Sequence, residues 1–235
     1  MKILGIDFET TGLDPQKDRI TEVGLVLWDS ESKQPVRITG FLVKTPTPVS
    51  AEISRLTGIT NELLRDYGVD PIPAMKSIVA LVAQADFMCA HNGTEFDKLF
   101  LEAELQRRGA DIRTLPWIDT RTDLPKEAYQ LGKSASLRYL ATDHGFLYPA
   151  HRAVDDVLAM LRILAMYDIN ETIKRAQTPN VNVRAVVSFD DRLQAKERGY
   201  YWKPELKLWV KPLKLDEVEA EKEAAPFPVV LMEAR

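Results

Sequence analysis

The segment Lys2–Gly12, which reads KILGIDFETTG, decides the fold, because an apolar stretch in it ends in two closely spaced acids. Lys2–Asp7 is predicted to be a β-strand, since its residues are mostly apolar and a loop rich in Gly, Asp and Pro follows. Residues two apart on a strand point to the same face, so the carboxylates of Asp7 and Glu9 are expected side by side. Such a pair is costly unless a cation neutralises it, and hard divalent ions prefer oxygen ligands. An isolated Asp-x-Glu is more often a solvated strand end, so its meaning depends on the rest of the chain.

Outward from this segment, strand patterns come first and helical patterns then alternate with strands. Further strands are predicted at Ile20–Trp28, Arg37–Val43, Asp86–Ala90, Trp117–Thr120 and Arg184–Phe189. Helices are predicted at Asn61–Asp66, Pro73–Gln84, Glu95–Arg108, Ser136–Thr142 and Val154–Tyr167. This order indicates an α/β or α+β protein in which helices cover a sheet.

Two further groups of ionisable residues lie where predicted helices begin. Asp97 lies in the first turn of a helix, a position where the helix dipole favours an acid in any protein. His151 precedes the strongest amphipathic helix, and Asp155 and Asp156 lie in the first turns of that helix. A spacing of five separates His151 and Asp156 by about 140° around an ideal helix. The helical pattern alone therefore leaves open which acid works with the histidine.

In their order along the chain, these segments resemble the motifs of the DEDD exonucleases, in the branch that uses a histidine. The matching residues are Asp7-Phe8-Glu9-Thr10-Thr11-Gly12, His91-Asn92 with Phe96-Asp97, and His151 with Asp156. In the third motif, the four residues that follow the histidine select Asp156 over Asp155. The resemblance covers roughly residues 1–170. The second motif departs from the family pattern, since three residues separate Asn92 from Phe96 where the family usually has two.

The resemblance implies an α/β protein with a ribonuclease H-like mixed sheet flanked by helices, and a two-metal site. Two Mg²⁺ or Mn²⁺ ions about 3.5–4 Å apart would stabilise the transition state of phosphodiester hydrolysis. Asp7 is expected to bridge both ions, with Glu9 and Asp156 at the site of the nucleophilic water and Asp97 at the other. His151 is expected to take the proton of that water, because histidine exchanges protons near neutral pH.

The resemblance also implies contacts to the terminal nucleotide of the substrate. In the family, the loop that follows the first acids meets this nucleotide. The substrate-binding residues expected on this basis are Phe8, Thr10, Gly12, Leu13, Thr57 and Asn92. Thr57 stands where the family often has a histidine. Leu13 is equally well interpreted as a wedge against the terminal base and as an ordinary core leucine.

The C-terminal quarter of the chain has a different character. We expect an exonuclease domain over residues 1–176, a small α+β module over 181–214 that interleaves aromatics with bases, and an acidic tail over 215–235. Residues 184–214 hold eight bases and four acids, a balance of +4 in a chain of net charge −4. Aromatics and cations together are what single-strand binding uses, so Lys196, Arg198 and Lys203 are expected to bind nucleic acid. Trp202 and Trp209 are expected to form the core of the module.

The tail admits several interpretations. An acidic segment of this kind is more often a solvated helix than a partner site, and we expect a solvated helix. Its ending, Phe227–Met232, is predicted to be a strand or a peptide that docks elsewhere.

Composition limits the classes of function. A net charge of −4 argues against a sequence-specific duplex binder, which usually has a basic excess. The longest apolar runs are too short to span a bilayer, so we expect no membrane partner. The single cysteine, Cys89, excludes an internal disulfide, and an acid at position 7 precedes any signal-peptide core. These features predict a cytoplasmic protein.

The sequence therefore predicts a 3′→5′ exonuclease that releases nucleoside 5′-monophosphates from DNA, in preference to RNA, in repair or proofreading. A 3′→5′ exoribonuclease built on the same site is an alternative, since no residue reports on the 2′-OH. A second alternative is a replisome-binding subunit that acts mainly through its C-terminal region. A replication or repair protein is a candidate partner.

Overall fold

The computed structural model describes residues 1–129 and 135–232. It divides into two compact units, Met1–Ala176 and Gln177–Arg235. The strands of the first unit are β1 (Lys2–Thr10), β2 (Ile20–Asp29), β3 (Gln34–Leu42), β4 (Phe87–Ala90) and β5 (Trp117–Asp119). Its α-helices are α1 (Ala51–Thr57), α2 (Asn61–Tyr67), α3 (Pro71–Val82), α4 (Asp97–Arg107), α5 (Leu137–Asp143), α6 (Ala153–Leu164) and α7 (Ile169–Gln177). A short 3₁₀ helix covers Lys126–Tyr129.

The first unit is built on a five-stranded sheet of order β3-β2-β1-β4-β5. β1 pairs antiparallel with β2 and parallel with β4, so the sheet is mixed. The carboxyl ends of β1, β4 and β5 consequently meet at one edge. This mixed sheet, flanked by helices, confirms the predicted fold class.

Alternation along β1 divides the core into two layers. Leu4, Ile6 and Phe8 point to one face of the sheet, where they join side chains of α3 and α4 in one apolar cluster. Ile3 lies in a second cluster on the opposite face, with side chains of α5 and α6. Asp7 and Glu9 belong to the second face by the same alternation, so they point toward the layer of α6.

Glycines on that second face allow α6 to lie close to the sheet. A Cβ on Gly24, which is opposite Asp7 on β2, would come within 2.4 Å of the Ala153 backbone. A Cβ on Gly5 or Gly40 would come within 2.6 Å of Val157 or 2.2 Å of Val154. The first turns of α6 therefore lie directly against the strand that carries Asp7 and Glu9.

The second unit is a four-stranded antiparallel sheet with two short helices. Its elements are β6 (Asn180–Ala185), α8 (Arg192–Glu197), β7 (Tyr201–Lys203), β8 (Leu208–Lys214), a 3₁₀ turn (Leu215–Glu217), α9 (Val218–Ala224) and β9 (Val229–Leu231). The strand order is β7-β8-β6-β9. Because β9 pairs with β6, the segment expected as a separate acidic tail contributes a strand to the module's own sheet. Val218, Phe227 and Val229 also lie in its core.

The boundaries of several elements differ from the sequence-based predictions. The predicted strand Arg184–Phe189 is shifted, because β6 begins at Asn180, opposite Lys214, and ends at Ala185. Helices α1 and α7 were not predicted. The predicted Ser136–Thr142 helix is α5, displaced by one residue. Within the residues that the structure describes, no helix is long and apolar enough to cross a membrane.

Candidate active site

Three carboxylates meet where β1 ends and α6 begins. Asp7, Glu9 and Asp156 are all half-buried, and each offers an oxygen atom within 4.8 Å of the others'. Asp7 and Glu9 owe their position to the two-residue repeat of the strand. Asp156 joins them because α6 lies against the glycines of the same face. Its neighbour Asp155 is not in this group.

Asp97 reaches the same strand from the start of α4. Its carboxylate is only 2% exposed, and Oδ1 accepts a 2.9 Å hydrogen bond from the backbone N–H of Phe8. Asp97 is outside the group of three acids, yet it is the acid that contributes most to raising the pKa of Asp7. Asp7 therefore has Glu9 and Asp156 as neighbours in one group and Asp97 as a further neighbour.

The electrostatics of this cluster favour a bound cation. Burial, together with the charges of Asp97, Asp156 and Glu9, raises the pKa of Asp7 well above its usual range. Burial and the charge of Asp156 raise the pKa of Glu9 to about 8. The pKa of Asp156 is also raised, mainly by burial, although hydrogen bonds from Tyr148 and from the backbone of Arg152 and His151 oppose the shift. The raised pKa values mean that these carboxylates ionise less readily than usual. A divalent cation would favour their ionised form, and hard divalent ions take oxygen ligands, so the cluster suits such an ion.

Two donors hold the Asp156 carboxylate in place. The Tyr148 hydroxyl donates to Oδ1 over 2.8 Å, and the backbone N–H of Arg152 donates to Oδ2 over 3.0 Å. Burial and the charge of Asp156 raise the pKa of Tyr148 above its usual range, so the hydroxyl keeps its proton. Sequence reasoning did not find Tyr148, because nothing in its local pattern marks it.

His151 lies just before α6 and outside the group of three acids. It is exposed, and its backbone has a left-handed φ of +69°, which residues other than glycine rarely adopt. A positive charge on its imidazole lowers the pKa of Asp156. An exposed imidazole beside the acids is accessible to a water molecule, as a general base requires.

Glu22 and Arg152 form an ion pair beside the cluster. Glu22 lies opposite Glu9 in the register of β1 and β2, and it is 5% exposed. Arg152 donates to it from Nε (3.1 Å) and Nη2 (2.7 Å), and the backbone N–H of Ala153 adds a third bond of 3.0 Å. Glu22 thus fixes the N-terminus of α6 and the residue next to His151. The only signal for it was the register of a hairpin, which sequence does not specify.

Asp119, at the end of β5, organises the second motif. Its carboxylate accepts hydrogen bonds from the backbone N–H of Asn92 (2.8 Å) and from the hydroxyl of Thr94 (3.0 Å). Asn92 has a left-handed φ of +67°, and its side-chain oxygen accepts from Arg121 over 2.9 Å. The extra residue of this motif is therefore accommodated in a tight loop that Asp119 holds. Asn92 itself is engaged with Arg121.

His91, in the same loop, is buried between two partners. Its Nδ1 lies 3.0 Å from the Thr120 hydroxyl and its Nε2 lies 2.8 Å from the carbonyl oxygen of Ala135. Burial lowers the pKa of His91 to about 4, so the ring is neutral at physiological pH. It therefore serves as a structural hydrogen-bonding group.

The loop after β1 is ordered by side chains of its own. Thr10 is buried and donates to the carbonyl oxygen of Gly12 over 2.5 Å. A Cβ on Gly12 would meet the Asp18 carboxylate at 2.4 Å. Leu13 stands 83% exposed, so it is not a core leucine, whereas Phe8 is 3% exposed and belongs to the core.

Thr57 lies buried at the end of α1. Its hydroxyl donates to the carbonyl oxygen of Ile53 and accepts from the N–H of Ile59, each over 3.0 Å. Both bonds are local and stabilise the end of the helix.

The predicted binding residues of the module differ in their surroundings. Lys196 is exposed, and the ammonium of Lys203 lies 6.0 Å from the centre of the Tyr201 ring. Arg198 is paired with Glu221 through Nε (3.2 Å) and Nη2 (3.1 Å). Trp202 is 46% exposed, so the prediction that it lies in the core is wrong. It is on the edge strand β7, where only one side of the ring is covered.

The sheet and the order of the four acids and the histidine define a nuclease fold of the DEDD type, histidine branch. The chain belongs to the family described as Exonuclease, whose model matches residues 4–164. Residues 181–232 match the model of a domain of unknown function, which includes the segment of α9 and β9. The family generally uses divalent metal ions, and the oxygen donors of the acidic cluster suit such ions.

Among curated relatives, the chain is similar to bacterial replication proteins. It is 32% identical over 166 residues to a DNA polymerase III of PolC type from Thermotoga maritima, with 69% of this chain aligned. It spans only 11% of the length of that polymerase. It is 26% identical over 186 residues to the DNA polymerase III subunit epsilon of Treponema pallidum, covering 74% of this chain and 83% of the relative.

Solved structures show the same fold. E. coli exonuclease I in complex with a dT13 oligonucleotide is similar with a TM-score of 0.67 and 16% identity, covering 99% of this chain and 65% of that one. The nuclease domain of 3'hExo, a DEDDh family member bound to rAMP, gives a TM-score of 0.58 at 21% identity, over 70% of this chain and 90% of that domain. At these identities the likeness concerns the fold alone.

Proposed function

We propose that the protein is a 3′→5′ exonuclease that removes nucleoside 5′-monophosphates from DNA by a two-metal mechanism. The observation that carries this proposal is the cluster of Asp7, Glu9 and Asp156, whose oxygen atoms lie within 4.8 Å of one another and whose pKa values are all raised. A cation between them would relieve the repulsion that the fold maintains.

In the proposed mechanism, Asp7, Glu9 and Asp156 would hold one divalent ion. Asp7 and Asp97, which reaches β1 from the start of α4, would hold the other. Two divalent ions, when bound, supply charge neutralisation for the phosphate and lower the pKa of water. The Tyr148 hydroxyl and the Arg152 N–H orient the Asp156 carboxylate toward its site.

His151 acts as the general base in this proposal. Its imidazole accepts the proton of the attacking water, and the water oxygen attacks the phosphorus atom of the terminal phosphodiester. The bond from phosphorus to the 3′-oxygen of the preceding nucleotide breaks, that oxygen leaves and takes up a proton from solvent, and the nucleoside 5′-monophosphate is released. Its exposed position at the start of α6 allows water and a strand end to approach together. Glu22 and Arg152 position this residue by fixing the backbone on its C-terminal side.

Two features support action on a DNA end. The chain resembles the PolC-type and epsilon DNA polymerase III proteins named above. The exposed Leu13 follows the ordered loop after β1, where an apolar side chain is free to wedge against a terminal base. We propose on the same grounds that a replication protein is its partner.

An exoribonuclease is the second candidate. The observation that favours it is the likeness to the 3'hExo nuclease domain, which was solved with rAMP. DNA and RNA differ at the 2′-OH. The choice between the two is therefore a question of contacts at a single atom of the terminal sugar.

The test is hydrolysis of strands labelled at the 5′ end. The protein is incubated with Mg²⁺ or Mn²⁺ and single-stranded DNA, duplex DNA or RNA, beside an Asp7→Asn variant. We expect a ladder that shortens from the 3′ end, faster for DNA than for RNA, and no ladder with the variant. Equal activity of the variant would refute the metal site, and faster loss of RNA would favour the second candidate.

A further inference from the structure

The edge strand β7 carries two exposed aromatic side chains. Tyr201 is 44% exposed and Trp202 is 46% exposed. Trp202 is opposite Trp209 in the register of β7 and β8, and the two ring centres lie 5.8 Å apart at an angle of 58°. Trp209 is itself packed against the core of the module. The Trp202 ring is thus supported on one side and open to solvent on the other.

Lysines flank these rings. The Lys203 ammonium lies 6.0 Å from the centre of the Tyr201 ring. Lys207 is exposed in the turn between β7 and β8, where its φ is +54°. Lys196 is exposed near the end of α8, shortly before β7 begins. In the described part of the chain, none of these three lysines has a carboxylate within ion-pair distance, although Glu205 lies in the same turn.

Three other cations of the second unit form ion pairs with acids of α9. Glu221 binds Arg198 and Lys211, each at 3.1 Å. Lys222, on the same helix as Glu221, pairs with Glu219 at 2.8 Å. Two acids of α9 thus pair with three neighbouring bases, whereas Lys196, Lys203 and Lys207 have no ion-pair partner among the residues that the structure describes.

We propose that the β7–β8 hairpin, Tyr201–Trp209, binds an unpaired strand of nucleic acid. A base stacks on the open face of Trp202. Lys207 in the turn and Lys203, which lies with Tyr201 on the other face of this edge strand, contact the phosphates where the nucleic acid passes the edge. Every base has a π-face, and lysines contact phosphates of any sequence, so this chemistry suits a strand without regard to its sequence. The inference deepens the proposed function, on which it rests for the identity of the strand, and assigns the module the role of holding the substrate.

Binding is measured with the full-length chain in EDTA, so that no cleavage occurs. The probe is a fluorescently labelled 20-mer of thymidine, with a 20-mer of uridine and a blunt duplex as further arms. Trp202→Ala is expected to weaken binding of both single strands about five- to hundredfold, since stacking contributes that much per base. Replacing Lys203 and Lys207 by Gln is expected to reduce the slope of log K against log salt by about 1.4.

Matched controls lie on the first unit. Tyr67→Ala removes an aromatic ring that is 74% exposed on α2, and Lys76→Gln removes an exposed lysine on α3. Neither is expected to change binding. Trp202→Phe, which keeps a stacking ring in the hairpin, is expected to bind within about threefold of the parent, on the premise that any aromatic face stacks. Unchanged affinity of Trp202→Ala, or tighter binding of the duplex than of either single strand, would overturn the proposal.

A second readout separates this inference from the proposed function. Hydrolysis of the nitrophenyl ester of thymidine 5′-monophosphate in Mn²⁺ reports on the acidic cluster without a strand. Trp202→Ala is expected to hydrolyse this ester at the parental rate while it binds strands weakly. If the parent hydrolyses the ester and Trp202→Ala binds single strands as tightly as the parent does, the proposal for the hairpin is rejected and the catalytic proposal stands. If the parent does not hydrolyse the ester but Trp202→Ala binds single strands more weakly than the parent, the catalytic proposal is rejected and the proposal for the hairpin stands.

Discussion

Glu221 in the second unit and Glu9 in the first are both partly buried acids, and the protein treats them in opposite ways. Burial alone would raise the pKa of Glu221, but hydrogen bonds from Arg198 and Lys211 lower it below its usual range. The pKa of Glu9 rises to about 8, because burial and Asp156 outweigh the charge of Arg152. Arg152 is committed to Glu22 instead.

The contrast distinguishes a structural acid from one that we propose to be functional. The chain neutralises buried acids where stability requires it, as it also does at Glu104, which pairs with Arg107 and Arg108 at 2.8 and 2.9 Å. At the end of β1 it gathers three carboxylates, and none of the described residues forms an ion pair with them. Uncompensated charge that persists in a fold is a mark of a site completed by something else.

The largest expected effect concerns the two neighbouring acids of α6. Asp156→Asn removes a member of the cluster, so we expect hydrolysis of single-stranded DNA to slow at least about a thousandfold, or ~4 kcal/mol in activation free energy. Asp155→Asn changes the adjacent half-buried acid, which is outside the cluster, and serves as the matched control with less than about threefold loss. Equal losses in both variants would mean that either substitution disturbs α6, and that the loss does not come from removing one carboxylate of the cluster.

The second prediction uses pH. An acid with a raised pKa in the folded state stabilises the fold below its unfolded pKa, and that contribution is lost as pH rises through the folded value. Without metal, the first unit should therefore lose stability between about pH 4.5 and 8, the ordinary and raised pKa of Glu9. The thermal midpoint should fall by several degrees, about 2–4 °C for each kcal/mol.

Two controls accompany this measurement by calorimetry. Millimolar Mn²⁺ is expected to restore the midpoint at pH 8, because a cation favours the ionised acids. Glu9→Gln should flatten the pH dependence of the metal-free protein. A metal-free midpoint that rises between these pH values would show that the cluster is compensated after all.

The third prediction concerns Glu22, the acid that links β2 to the start of α6. Glu22→Gln should lower kcat roughly tenfold, as is common for residues that orient ligands, and should move the pH profile because it removes a charge beside Glu9. Glu104→Gln disrupts a similarly buried acid–arginine pair on α4 and should leave both kcat and the pH profile unchanged. A parental profile for Glu22→Gln would reduce this pair to a purely structural role.

The smallest expected effect falls on the other half of the comparison. Glu221→Gln removes the charge that Arg198 and Lys211 share, and both partners are partly exposed. We expect the second unit to lose about 1 kcal/mol, seen as faster hydrogen exchange of β6 and β8. Ester hydrolysis by the first unit should stay at the parental rate. No change in exchange would mean that the ion pairs of Glu221 with Arg198 and Lys211 do not stabilise the second unit.

Much of the first unit could be predicted from sequence because its signals are local. The strand period placed Asp7 beside Glu9, and the five-stranded sheet confirms the fold class. The contributions of Glu22 and Asp119 could not be predicted. They depend on which residue stands opposite which across a sheet, and the β1–β2 register shifts between Glu9 and Thr10. One residue of slip would turn Glu22 to the other face.

The second unit was predicted less well for a related reason. Aromatic residues in a small domain are expected in its core, and Trp209 does pack there. Trp202 is exposed because β7 lies at the edge of the sheet, and strand order is not a local property of sequence. Likewise, Arg198 was expected to face a ligand, but α9 brings Glu221 to it from 23 residues away.

The pairing of β9 with β6 also sets an order of events during translation. The five-stranded sheet is complete once β5 emerges from the ribosome, and α6 follows by Leu164. The four-stranded sheet must wait for residues 229–231, several seconds later at about 5–20 residues per second. During that interval β6 lacks the strand that will cover one of its edges. A nascent chain should therefore acquire its acidic cluster well before the module that we propose holds the strand.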